Sequence, residues 1–392
     1  MKKITPLILA LLSITGYSQN ANLDELLTRY ESLPINGGSI YSYFNAQEIE
    51  TLRLHLQSQN TTQNATQQEG DGTIIYGANT DLGNLVNFSS GTPTDLNVLG
   101  TNSGSADFEA AGEIDPEDLD IAYVLTLENG ELYELDVNTA TYSLIGNIAP
   151  PSGENWNGIE IDPSTGIAYG ISSNFVNTST LSVIDFENLT ATPVGITGMP
   201  GAISITTDGE GNFFSHDIVM DYLYSVDVTT GIASLIDPLG FDANFGQGLE
   251  YDAASGIFYM TAFNLGTFTS ELRTVNVNTG ATTFVSFLGD QNGANAQIPW
   301  ASIANPSTLA VESQETITFN IFPNPVSDTI TIQSTNSISS ISIYNMLGQK
   351  IIDQQDVNQT TVTIASNKFT QGTYIITVQS GQNISTTKFI TE

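Results

Sequence analysis

Apolar positions recur at helical spacing along residues 20–57 and at strand spacing from about residue 73 onward. Asn22 with Glu25, and Asn45 with Glu48, have capping-box separation. Each pair leads into an apolar stripe: Leu26, Leu27, Tyr30 and Leu33 in the first case, Ile49, Leu52 and Leu56 in the second. Two short helices are expected within residues 19–56. Residues 57–72 are rich in Gln, Asn and Thr and nearly devoid of apolar side chains, too few to offset the entropy of ordering them. They read as a linker.

From residue 73 to about 305, short apolar and aromatic runs alternate with Asp, Gly, Asn, Ser and Thr clusters, the pattern of many strands joined by tight turns. This texture repeats. The phrases Ile121-Ala122-Tyr123, Ile167-Ala168-Tyr169, Asn212-Phe213-Phe214 and Ile257-Phe258-Tyr259 end at 123, 169, 214 and 259, in steps of 46, 45 and 45 residues. A second phrase, a strand running into a polar turn, starts at Leu135, Ile184, Val226 and Val275. A third precedes the aromatic: Glu113-Ile114-Asp115, Glu160-Ile161-Asp162 and Glu250-Tyr251-Asp252.

A unit of about 46 residues with four strand candidates matches one blade of a β-propeller. In the unit starting at Gly158 the candidates are 158–161, 167–171, 180–186 and 191–196. Residues 73–101 supply only the last three strands of a unit, and Ile298-Pro299-Trp300-Ala301-Ser302-Ile303 supplies the missing first one. A ring closed by its own two ends leaves no open edge. The count is five blades; a sixth would need a weak repeat inside the linker. The phrase Leu223-Tyr224-Ser225-Val226-Asp227-Val228-Thr229-Thr230-Gly231 resembles the repeats of diverse extracellular propellers. That resemblance implies architecture and no particular activity.

The stretch from about Ile317 contains Phe322-Pro323-Asn324-Pro325, then Ile341-Ser342-Ile343-Tyr344-Asn345-Met346-Leu347-Gly348-Gln349-Lys350, then Gly372-Thr373-Tyr374-Ile375-Ile376, and finally Lys388-Phe389-Ile390. Over residues 317–392 it is similar to the type A C-terminal sorting domain of Bacteroidota type IX secretion. The resemblance implies a small seven-stranded Ig-like β-sandwich, read by the outer-membrane secretion machinery and often removed on surface anchoring. The alternation of Ile341 with Ile343, and of Tyr374 with Ile376, independently has the period of half-buried strands. Thr391-Glu392 departs from the basic ending of many members.

The other end reads Met1-Lys2-Lys3, an apolar run from Ile4 to Ile14, then Gly16-Tyr17-Ser18. A short positive region, an apolar core of this length and small residues at the cleavage positions read as a signal peptide, residues 1–18. No later segment has the roughly 20 apolar residues of a membrane span. The expected destination is the cell surface or the medium, with residues 306–316 linking propeller to sorting domain.

Composition narrows the chemistry. Acidic residues number 42 against 8 basic, a formal charge of -34, and no basic residue stands between Arg53 and Arg273. Nucleic acid is excluded as a partner, because binding phosphate needs clustered Lys or Arg. Acidic surface keeps an exported protein soluble and attracts divalent cations. With no cysteine, disulfides, thiolate catalysis and Cys-type zinc sites are ruled out. Of two histidines, His55 falls in a helix and His216 in the propeller, and no serine has the Gly-x-Ser-x-Gly setting.

Carboxylates are the groups in surplus. Glu113, Glu160 and Glu250 occupy matching positions in strands that would line a central channel; if they converge they should repel one another or recruit a hard cation such as Ca²⁺. Shared blade geometry explains the same repetition without function. The loops entering those strands carry Trp156, Asn157, Phe241, Asn244, Phe245, Gln247, Asn292, Gln297 and Trp300, aromatics beside amides that suit stacking on a sugar or gripping a peptide. Within that group Trp156, Asn157, Phe245, Gln247 and Trp300 are the expected ligand contacts. The expected role is non-catalytic binding or adhesion, with a glycan or protein ligand; the alternative is a glycosidase using channel carboxylates.

Overall fold

The computed structural model describes residues 19–59, 70–294, 296–306, 319–380 and 383–392, and the chain divides into two compact units, Met1–Leu309 and Ala310–Glu392. The expected signal peptide, and most of both expected linkers, lie outside the described residues.

The first unit opens with two helices. Helix α1 spans Gln19–Glu31, so Asn22 lies inside it and does not cap it. Helix α2 spans Ala46–Gln59, three residues beyond the expected end. At its start Asn45 Oδ1 accepts from the backbone N–H of Gln47 and Glu48, 3.0 Å each, while Glu48 Oε2 accepts from Asn45 N–H at 2.9 Å, a complete capping box.

Five antiparallel sheets follow, each a meander in chain order: 74–101 with three strands, then 109–147, 155–196, 206–238 and 248–287 with four. The succession is propeller-like. The short first sheet gains a neighbour from the far end of the unit, where Tyr76 and Ser302 exchange backbone hydrogen bonds of 2.9 and 3.0 Å and Thr80 N–H reaches Gln297 O at 3.0 Å.

The first strands of neighbouring sheets meet at glycines. A Cβ on Gly112 would lie 2.5 Å from the Trp300 ring, and one on Gly248 would lie 2.4 Å from the Ala301 backbone nitrogen. Only glycine permits backbones that close. Farther out, every sheet carries a bulge at the same place between its last two strands, beside Leu85, Leu132, Leu181, Leu223 and Leu272. All five leucines are fully buried, so the bulge and the core position repeat together.

The helical segment does not stand apart from the sheets. Leu26, Ile40, Phe44, Ile49 and Leu52 form one buried cluster with Phe245, Phe263 and Phe268. Between the helices, Asn36 N–H donates to Asn244 Oδ1 (2.9 Å), Ile40 N–H to Gln297 Oε1 (3.0 Å), and Gln297 Nε2 to Gly38 O (2.9 Å). Residues 36–40 therefore lie across the loops that lead into the innermost strands.

The second unit has two sheets: Phe319–Phe322, Thr329–Ile338 and Gln359–Ala365 in one; Lys350–Gln354, Ser340–Asn345, Gly372–Ser380 and Asn383–Thr391 in the other. Ile330, Ile332, Ile341, Ile343, Tyr374, Ile376 and Phe389 form its core. Alternate residues point inward, which is why the period-two pattern was readable.

Candidate functional site

The strand register reveals one ring of equivalent positions. Glu113 pairs with Tyr123, Glu160 with Tyr169, Thr206 with Phe214, Glu250 with Tyr259 and Ser302 with Tyr76. Each innermost segment thus presents one polar residue opposite the repeating aromatic. Sequence reasoning found the three glutamates and missed Thr206 and Ser302, because neither continues the Glu phrase. The aromatic series, extended back to Tyr76, would have located both.

The glutamates do converge. One carboxylate oxygen from each of Glu113, Glu160 and Glu250 lies within 4.8 Å of the others, and the residues are only 5, 3 and 2% exposed. Ser302 Oγ donates to Glu113 Oε1 at 3.0 Å and accepts from Ile114 N–H at 2.9 Å. Asn305 Nδ2 donates to Glu250 Oε1 at 3.3 Å. Glu160 Oε2 and Thr206 Oγ1 are buried without a hydrogen-bond partner.

Burial drives all three carboxyls well above the usual range, and for Glu160 and Glu250 the neighbouring carboxylates add to it. No basic side chain relieves them. The three Lys or Arg residues between 19 and 306 are committed elsewhere: Arg29 to Glu48, Arg53 to Glu50 and Arg273 to Glu271. The cluster forms the floor of a cavity of about 240 Å³, whose walls include Pro116, Pro163, Tyr251 and Pro306 and whose rim carries Asp208 and Glu210.

The expected ligand contacts are interior. Trp156 is fully buried, its Nε1 donating to Ile148 O at 2.7 Å; Asn157 Nδ2 donates to Ala202 O at 3.0 Å; Gln247 Nε2 donates to Asn244 O at 2.9 Å. Phe245 packs on Tyr43 and Phe263, and Trp300 covers Gly112. Phe241 lies under the Arg273 guanidinium, Asn292 O accepts from Arg53, and Asn244 and Gln297 hold residues 34–40. The helical segment packs on Phe245 and binds Asn244 and Gln297, while Trp156 and Trp300 are buried in clusters formed by the sheets.

His216 is wholly buried, with Ser204 Oγ 2.7 Å from its Nδ1. Ser204 lines a small cavity of about 10 Å³ together with Asn157, Gln247 and Trp300. Desolvation lowers the imidazole to about 3. Against an unfolded value of about 6.5, its contribution to stability is present above pH 6.5 and is lost as pH falls toward 3. Between pH 7 and pH 4, H216Q should therefore lose about 3 kcal/mol less stability than the native protein in urea titrations. Parallel pH dependence in the two proteins would contradict a neutral buried imidazole. The glutamates, raised on folding, favour the folded state at low pH and cancel in this difference.

Three comparisons bear on identity. Residues 320–392 match the family described as the secretion system C-terminal sorting domain. An ulvan lyase of Nonlabens ulvanivorans is 34% identical over 79 residues, 20% of this chain and 15% of that protein, so the chain spans only a small part of its length. Among solved structures, a nidogen/laminin complex is similar at 10% identity and TM-score 0.41, over 74% of this chain and 97% of that one. PorZ, a surface component of the type IX secretion system of Porphyromonas gingivalis, is similar at 12% identity and TM-score 0.26, over 79% and 49%. No helix among the described residues is long and apolar enough to cross a membrane. The sorting phrases, the two-sheet unit they build and the family match coincide on one stretch: the chain carries a type IX secretion C-terminal sorting domain and is exported to the cell surface or the medium.

Proposed function

We propose that the first unit is a five-bladed propeller, closed by residues 297–303, and that the second is an Ig-like sandwich that delivers it. At the surface the propeller acts as a non-catalytic binding or adhesion module, with Ca²⁺ held by Glu113, Glu160 and Glu250. The observation that carries this reading is three buried carboxylates in mutual contact, one oxygen unpartnered, with no cationic side chain beside them. Two ionised carboxylates 4 Å apart repel by about 4 kcal/mol at an effective dielectric of about 20. A divalent cation reverses that sign. Three atoms no more than 4.8 Å apart fit a circle of radius 4.8/√3, so some point lies within about 2.8 Å of all three. Ca²⁺ needs about 2.3–2.6 Å, a contraction of a few tenths of an ångström.

The same closeness weighs against the glycosidase reading. Carboxyls that flank a glycosidic bond stand about 5–5.5 Å apart in retaining enzymes and about 6.5–9.5 Å in inverting ones. Here the facing oxygens of all three carboxyls lie within 4.8 Å of one another, which leaves no room for a glycosidic bond between them. The partial match to a lyase brings no activity with it.

Calcium should raise the melting temperature of the metal-stripped full chain by about 5–10 °C at 100 times its Kd, beyond Na⁺ at matched ionic strength. E160Q should lose that excess and keep the Na⁺ response. Equal stabilisation by both cations would reduce the cluster to protonated, structural acids.

A further inference from the structure

The cavity above the glutamates sets what the site can take. Three carboxylates giving one oxygen each leave a cation that accepts six to eight oxygens with at least three positions to fill from the cavity. Those positions face about 240 Å³, less than the roughly 300 Å³ lower bound of pockets for drug-sized ligands, so one sugar ring is the natural size of a guest. Its lining includes the apolar side chains of Pro116, Pro163, Pro306 and Tyr251, which suit contact with the C–H face of a pyranose. The rim is anionic.

Asp208 and Glu210 at the mouth, with the chain's formal charge of -34, set up a field that repels carboxylated or sulfated sugars. At the opposite end of the innermost strands, residues 36–40 cover the loops, so an extended ligand cannot thread through. We propose that this cavity binds one terminal neutral sugar residue, two vicinal hydroxyls completing the coordination of the cation. The inference rests on the calcium reading above and adds to it the ligand class, its size and its charge. Lone-pair donation from neutral hydroxyls to the cation requires no proton to leave, so binding is reversible and changes no bond.

Calorimetry on the full chain separates the two claims. Calcium is titrated first, then methyl mannoside, methyl galactoside and methyl fucoside, with methyl galacturonide as the anionic comparator, each with calcium and with EDTA. At least one neutral glycoside should bind about tenfold more tightly with calcium than with EDTA, and more tightly than the uronide. E160Q, shown folded by circular dichroism, should lose both responses. D208N/E210Q should keep the neutral glycoside and gain affinity for the uronide. Calcium binding without any neutral glycoside would overturn the sugar proposal and leave the metal reading intact. Absence of calcium binding would overturn both, and so for the sugar proposal would glycoside binding that ignores EDTA. Preference for the uronide in the native protein would overturn the charge argument.

Discussion

A chain ended after residue 294 is expected to lose its cooperative thermal transition, while one ended after residue 306 keeps it. The two differ by the segment that pairs with Tyr76 and Thr80 and buries Ile298, Trp300, Ala301 and Ile303. Without it the first sheet has a bare edge, Gly112 faces the void left by the Trp300 ring, and Glu113 loses the Ser302 hydroxyl. Emptying the Trp300 site alone should cost about 3–5 kcal/mol, a large part of the stability of a single domain. W300A is thus the milder form of the same test. Equal melting temperatures for the two truncated chains would remove the closed ring.

Export gives the other large effect. The chain ended after residue 306 should fold normally yet be absent from the cell surface and the medium, accumulating inside the envelope. The reason lies in the separation of the units: the sorting sequence occupies its own two-sheet unit with its own core. Surface proteolysis and immunoblots of medium and envelope fractions measure the distribution. Undiminished surface display of the shortened chain would refute sorting by residues 320–392.

How much of this was legible follows from the range of the interactions. Strands and their repeat were readable because each recurring phrase records a local pairing: Tyr123, Tyr169 and Tyr259 each face a glutamate one strand away. The glutamate cluster was readable for the same reason, since equivalent positions in equivalent strands point to one axis. Thr206 and Ser302 were hidden by their different side chains, and the first strand of the fourth sheet is only two residues long. The cover over Phe245 was invisible. Its contacts join Asn36 to Asn244 and Ile40 to Gln297, with no periodicity in either partner to announce them. Aromatics and amides in loops carry the same signature whether they await a ligand or a distant piece of the same chain.

That cover also dictates when the molecule can finish folding. Its hydrogen bonds join residues 208, 257 and 259 positions apart, so the first structured residues to be synthesised dock on almost the last of their unit. Loop closure on that scale is slow and has to precede the contacts that reward it. Until Gln297 has emerged, Gly38 and Ile40 lack their amide partner and the seam between first and last sheets is unmade. In a nascent chain of this design the seam and the cover are expected to be the last parts of the unit to form, since both need the segment that carries Gln297.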